Sequence, residues 1–396
     1  MRILHVVPTY LPAVRYGGPI YSVHGLARAL VGLGHEVHVL TTNIDGGGIS
    51  AVPLNRPVDI DGVKVWYHPV RWPRKSFRSP PLSDAVTQML PQTSIVHLHS
   101  VFLWPTWAAA RASRKAGASH IISPRGMLIK DLIRRRSRIA KSIWIGLIER
   151  TNVERACAVH LTSQIERAEL ERFGWQLPRL AVIPNGIDEP VVAAGAIGAD
   201  VRAIAAEQPL VLFLGRLSWK KGLDHLLHAF ARTGVGKLAI VGTDDENLAP
   251  QLVKLATSLR LEDRVRILPR TVVGAEKEHL FAAARLFVLP SHSENFGNTV
   301  LEALRRCVPV AVTQGVGAAD VVRQSGGGIV VGADPEVLGT AINRFTTDES
   351  LARSMGEAGQ RHVMAHYTWA QIAARMEDLY RALNPSKNNL STRCPN

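Results

Sequence analysis

Two glutamates and two cations are placed where they could do chemistry. Glu294 and Glu302 lie eight residues apart in FVLPSHSENFGNTVLEALRRCVP, residues 287–309. The apolar run Leu286–Leu289 has the length of a strand buried on both faces. Ser293–Asn298 reads as a polar turn, and Val300, Leu301 and Leu304 are spaced for one packed helical face. Glu294 therefore belongs to a loop and Glu302 to the early part of a helix. Gly297 lets the backbone come close to a ligand, and the amides after it can face an anion. Glu302, with apolar neighbours on both sides, calls for a partner. A plainer reading, one surface glutamate and one salt-bridged glutamate, uses the same residues. Upstream, LVLFLGRLSWKKG, residues 210–222, repeats the arrangement: a buried strand, then Gly215, Arg216 and Lys221, then a helix. A rigid guanidinium fork, a mobile ammonium and exposed amides make a clamp suited to a diphosphate. Ordinary surface cations are the alternative.

These motifs need strands whose carboxyl ends meet, because open α/β sheets bind ligands there. The chain supplies strand and helix patterns in alternation. Ile3–Val7 opens as a strand; Gly17-Gly18 and Pro19 precede the apolar-periodic run Ile20–Leu30, and HEVHVLTT follows as a second strand. G-x-G-x-x-G is missing, which argues against a nicotinamide site, but a glycine turn before a helix still offers amides to a phosphate or a sugar hydroxyl. Residues 71–81, RWPRKSFRSPP, read as an exposed basic loop. SIVHLHS, residues 94–100, is a buried strand whose His97 and His99 share a face. A metal site needs more ligands than these two, whereas His99, at the strand's end, can meet a substrate. IISPRG, residues 121–126, places Arg125 in the next exit loop, where it can offer fixed charge to a phosphate. Residues 130–151 form a basic amphipathic helix pattern, with Arg134, Arg135, Arg136, Arg138 and Lys141 among Leu132, Ile133, Ile139, Ile143, Trp144, Leu147 and Ile148. Such a helix suits an anionic lipid surface, or is simply a packed helix with a solvated face. Thr162-Ser163 before Glu166 has the form of a capping box.

At 396 residues, 46% hydrophobic and 20% charged, the chain has room for two well-packed domains. Residues 1–190 form the first, residues 189–207 read as a connection, and 200–368 carry the second; the helix at about 369–384 is followed by a polar tail, 385–396, expected to be disordered. Three scattered cysteines do not describe a disulfide framework. The N-terminal apolar run is too short for a signal peptide and no run approaches a membrane span, so a cytoplasmic location is expected. The net charge of +14 divides into +11 over residues 1–190 and +3 over the remainder, which points to an anionic partner for the first half. Nucleic acid is disfavoured, since neither a reader motif nor interleaved aromatics accompany the charge.

The spacing E-x7-E with Phe296-Gly297 after the first glutamate resembles the signature of family 4 glycosyltransferases. So do Gly17-Gly18, the junction PNGID at residues 184–188, and G-R-L-x-x-x-K-G at 215–222. The resemblance implies an α/β protein of the GT-B fold, with two Rossmann-like domains facing a central cleft and the last helix crossing back to the first. It implies a retaining transfer of a hexosyl residue from a nucleotide-diphosphate sugar, without metal or other cofactor. Glu294 would touch the donor sugar and Glu302 the ribose, with Arg216 and Lys221 on the diphosphate and Gly18, Phe296, Gly297 and Asn298 lining the donor site. Gly17, His99 and Arg125 would meet acceptor or sugar. Many members of the family have His-Gly where this chain has Arg125-Gly126-Met127-Leu128, which resembles a branch acting in surface polysaccharide assembly, including exopolysaccharide, lipopolysaccharide and O-antigen. A saccharide or polyprenyl-diphosphate-linked acceptor and a peripheral position on the inner face of the membrane follow from that branch. A different GT-B enzyme, such as a sugar-nucleotide epimerase, is the remaining alternative.

Overall fold

A computed structural model describes residues 1–13, 17–130, 133, 144–190 and 194–384. The expected disordered tail, 385–396, and Arg134, Arg135, Arg136, Arg138 and Lys141 of the basic run lie outside these. The chain divides into two compact units, Met1–Gly186 together with the stretch from Trp369 onward, and Ile187–Thr368.

In the main sheet of the first unit the strands are β1 (Arg2–Val6), β2 (Glu36–Thr42), β3 (Pro57–Ile60), β4 (Val63–His68), β5 (Ile95–His99), β6 (His120–Ser123), β7 (Ala158–Leu161) and β8 (Arg179–Val182). They join in the order β8-β7-β6-β5-β1-β2-β4-β3, parallel except for the edge hairpin β3–β4. The central strands are wholly buried, the condition that makes them read as apolar runs rather than alternating ones. Ile372, Met376 and Tyr380 of the last helix, Trp369–Leu383, join the core formed by Val23, Leu26 and Leu30 of the helix Gly18–Gly32. Trp369 fills space left by Gly25 and Gly186, where added methyl groups would lie 2.3 and 2.6 Å from its ring.

The second unit holds β9 (Leu210–Leu214), β10 (Lys237–Val241), β11 (Val265–Leu268), β12 (Ala284–Leu289), β13 (Val310–Thr313) and β14 (Gly328–Val331). All pair in parallel in the order β11-β10-β9-β12-β13-β14. Counted within the unit this is 3-2-1-4-5-6, the doubly wound order whose direction of winding reverses between its first and fourth strands. That reversal lies between β9 and β12, the two strands that carry the candidate cations and carboxylates.

Two local expectations change. Residues 199–206, expected as part of a connection, form a helix whose Val201 and Ile204 enter the second unit's core. A π-helical turn at Ile145–Glu149 shifts the helical register after Trp144. Leu147, assigned to the apolar face, is consequently 73% exposed, while Glu149 turns inward to accept hydrogen bonds from the Phe102 amide and the Trp144 indole. Cys307 is a free thiol. Among the described residues no helix is long and apolar enough to cross a membrane.

Candidate active site

The site in the second unit begins with the loops leaving β9 and β12. After β9 the chain runs through Gly215 and Arg216 to a single 3-10 turn, Trp219–Lys221, and then the helix Leu223–Phe230. Gly222 joins turn to helix with φ 61°, and a methyl group there would lie 2.4 Å from the Pro290 carbonyl oxygen. The close approach lets the backbone N–H of His292 donate to the Lys220 carbonyl at 2.8 Å, which docks the two loops together. The outcome is a direct ion pair: Lys221 Nζ donates to Glu294 Oε2.

The Glu294 loop is held by its backbone. The Glu294 N–H donates to the Gly315 carbonyl at 2.9 Å, the Gly317 N–H to the Glu294 carbonyl at 3.0 Å, and the Ala318 N–H to the Phe296 carbonyl at 2.7 Å. Phe296 is 3% exposed and packed in the core, so any part it has in donor binding passes through its backbone. Gly297 has φ 92° and sits immediately before the helix Asn298–Leu304, a position costly for any side chain with a Cβ. Asn298 opens the helix. Glu302, one turn in, is met by Lys277 Nζ at 3.0 Å, both partly buried. The partner required by its apolar surroundings is thus found on another element, the helix Gly274–Ala283. Arg216 lies near Asp245, with Nε 3.9 Å from Oδ2. Both are well exposed, and such a pair adds little stability. Asp244 instead caps backbone amides, accepting from Leu248 and Ala249 at 2.7 and 2.8 Å.

The arrangement alternates charge. Lys221, Arg216 and Lys277 each face a carboxylate. Sequence patterns pointed to Glu294, Glu302, Arg216 and Lys221, which the fold gathers in the second unit. They did not point to Lys277 or Asp245, since neither lies inside a recognisable motif.

The first unit gathers Arg125 and His99 by a different route. His5, His97, Ser123 and His160 lie on β1, β5, β6 and β7, with His5 opposite His97 in register. Their hydrogen bonds form a buried web: His5 Nδ1 to His99 Nε2 at 2.9 Å, His97 to Tyr380 and to Ser123 at 2.7 and 2.6 Å, and Ser123 to His160 at 2.7 Å. Burial, reinforced by the nearby Arg125 charge, pushes His5 and His160 down to about 3 and takes His97 and His99 well below the usual histidine range. The imidazoles are therefore neutral at pH 7. Arg125, at φ 55° and 9% exposed, donates to Asn185 Oδ1 at 3.0 Å and lies 3.3 Å from His99 Nδ1. Burial lowers it to about 10, partly offset by the Glu166 charge, and it remains a cation. His99 is buried with both ring nitrogens engaged; its contact in this structure is with Arg125 and His5. Glu166, flagged by its capping box, accepts from the amides of Thr162 and Gly126 and so holds the turn that presents Arg125. Gly17, at φ 77°, caps the helix beginning at Gly18 without a side-chain cap.

The domain described as "glycosyl transferase 4-like" matches residues 17–186, and that of "glycosyl transferases group 1" matches residues 199–362. An uncharacterized glycosyltransferase of Methanocaldococcus jannaschii is 24% identical over 96% of this chain and 98% of its own. The alpha-maltose-1-phosphate synthase of Mycolicibacterium smegmatis is 29% identical over 61% of this chain and 67% of its own. Among solved structures, HepE of Anabaena in complex with UDP-glucose aligns with a TM-score of 0.73 at 19% identity, covering 97% of this chain and all of the other. The fold and the two domains in this order define a GT-B enzyme. The chain belongs to the glycosyltransferases of that fold.

Proposed function

We propose that the protein transfers a hexosyl residue from a UDP- or GDP-sugar to a saccharide or lipid-linked saccharide acceptor, with retention of anomeric configuration, in the assembly of a surface polysaccharide. The observation that carries this reading is the pairing of Lys221 with Glu294 where the winding of the second unit's sheet reverses. A donor diphosphate placed there takes Lys221 and Arg216 and leaves the Glu294 carboxylate to a sugar hydroxyl. Glu302, held by Lys277, receives the ribose. The leaving diphosphate is stabilised electrostatically, and the acceptor hydroxyl attacks from the face the diphosphate leaves. Glu294 is the one carboxylate assigned to the sugar, so a double displacement with a conventional acid and nucleophile pair is not part of the mechanism. Bound UDP-glucose in the Anabaena protein makes UDP-hexoses the first donors to test.

Incubating purified protein with UDP- and GDP-hexoses and polyprenyl-diphosphate saccharides tests the class and the stereochemistry together. An α-linked product from an α-linked donor is expected, with kcat unchanged by EDTA. A β-linked product, or loss of kcat at saturating donor in EDTA, contradicts the mechanism.

The basic first unit is the part assigned to the acceptor and the membrane surface. Its exposed 71–78 loop carries Arg71, Arg74, Lys75 and Arg78 around Trp72, which is 84% exposed. Each such cation near an anionic surface contributes about 1 kcal/mol, and tryptophan favours the interface. Wild type is expected to float with anionic vesicles at low salt and to be released at high salt, while a variant with the four cations changed to Ser floats less. No flotation of wild type at low salt removes the membrane from the proposal.

A further inference from the structure

Asp224, His225 and His292 have no part in the mechanism above. Asp224 and His225 lie in the first turn of the helix Leu223–Phe230, and His292 stands two residues before Glu294. One ligand atom from each lies within 4.8 Å of those of the other two. His225 Nε2 is 4.0 Å from Asp224 Oδ2, and the His225 and His292 rings stand nearly perpendicular with centroids 4.8 Å apart. On its other side, His225 Nδ1 lies 3.1 Å from the Ala333 carbonyl oxygen. A carbonyl only accepts, so Nδ1 carries the proton and Nε2 of the neutral ring presents a lone pair. Three electron-pair donors thus face one another, with one histidine oriented through its far nitrogen in the manner of a metal ligand.

We propose that Asp224, His225 and His292 form a binding site for a divalent metal of the zinc class. Two imidazole nitrogens and one carboxylate oxygen suit zinc, with water as fourth ligand. Ligand atoms around tetrahedral zinc are about 3.4 Å apart, as bonds of roughly 2.1 Å require. Rotation of the exposed Asp224 and His292 side chains closes the remaining gap. The buried group of His5, His97 and His99 also brings three ring nitrogens together, but every ring nitrogen there except His5 Nε2 is hydrogen-bonded, to a neighbouring histidine, to Tyr380, to Ser123 or to Arg125. The Arg125 cation there opposes a second positive charge.

The metal acts as a brace. The His292 N–H already donates to the Lys220 carbonyl at 2.8 Å, so zinc would tie the Lys221 turn to the Glu294 loop through side chains as well. The effect on the donor rests on the proposed donor site, whereas metal binding does not. Titrating tag-free protein with zinc by calorimetry, without donor, reads the metal alone, and cobalt(II) substitution reports the ligand field by its visible absorption. One micromolar-class zinc per chain is expected, with a raised melting temperature and a cobalt spectrum of four-coordinate type. His225→Gln and Asp224→Asn are each expected to weaken binding by about tenfold or more, by analogy with the loss of groups that hold a metal ligand, while keeping the metal-free melting temperature. Equal zinc binding by wild type and His225→Gln, or no binding by wild type below millimolar zinc, overturns the site. Zinc bound as expected but leaving the donor KM unchanged overturns the brace.

Discussion

Replacing Lys221 with alanine lowers kcat by about 10²-fold or more, the usual effect of removing one preorganised charge contact to a transition state. The ammonium stands in the turn after β9 and donates to Glu294 across the point where the sheet's winding reverses. In the free enzyme it balances that carboxylate; in the proposed mechanism the leaving diphosphate takes it. The backbone that places it is held separately, by the His292 to Lys220 hydrogen bond and the glycine at 222. The variant therefore keeps its fold, and thermal melting should show only a small shift. The loss belongs mainly to kcat, because on the proposed mechanism Lys221 meets charge that grows in the transition state. Wild-type kcat in Lys221→Ala takes this residue out of the mechanism.

The two glutamates separate kinetically. Glu294→Ala lowers kcat by about 10²-fold, the scale of a misplaced reacting group, with little change in donor KM. Its loop persists because Glu294 holds Gly315 and Gly317 through main-chain atoms that alanine also possesses. Glu302→Ala raises donor KM by about tenfold or more, as loss of a hydrogen bond to a charged group implies, and leaves kcat near wild type. Lys277 enters through Glu302 alone, at 3.0 Å, so Lys277→Met should raise KM in the same sense. The Glu302→Ala/Lys277→Met double variant should be no worse than Glu302→Ala. Equal defects in kcat and KM for Glu294→Ala and Glu302→Ala would show that the two carboxylates do not divide the sugar and the ribose between them.

Glu294, Glu302, Arg216 and Lys221 could be picked out from the chain alone because each lies within one strand, one turn and one helix. Period and turn chemistry are local there, and so are readable. Gly297 was visible for the same reason, since only glycine is at ease at positive φ. The partners were not visible. Lys221 meets Glu294 across 73 positions and Glu302 meets Lys277 across 25, and each meeting depends on which strands become neighbours. A strand buried on both faces is an apolar run whatever lies beside it, so β9, β10 and β12 gave no sign of the order in which they would pair. The web of His5, His97, His99 and His160 was hidden likewise. The His97–His99 pair shared a face on its own strand, but His5 and His160, single histidines on other strands, carry no pattern until the register sets them beside that pair, and burial then fixes all four as neutral. The π-helical turn that exposes Leu147 and buries Glu149 lies beyond periodicity as well, because one extra residue in a turn changes every face after it. Local chemistry was written in the order of residues; the pairing of charges waited on the topology that brought distant loops to one edge of a sheet.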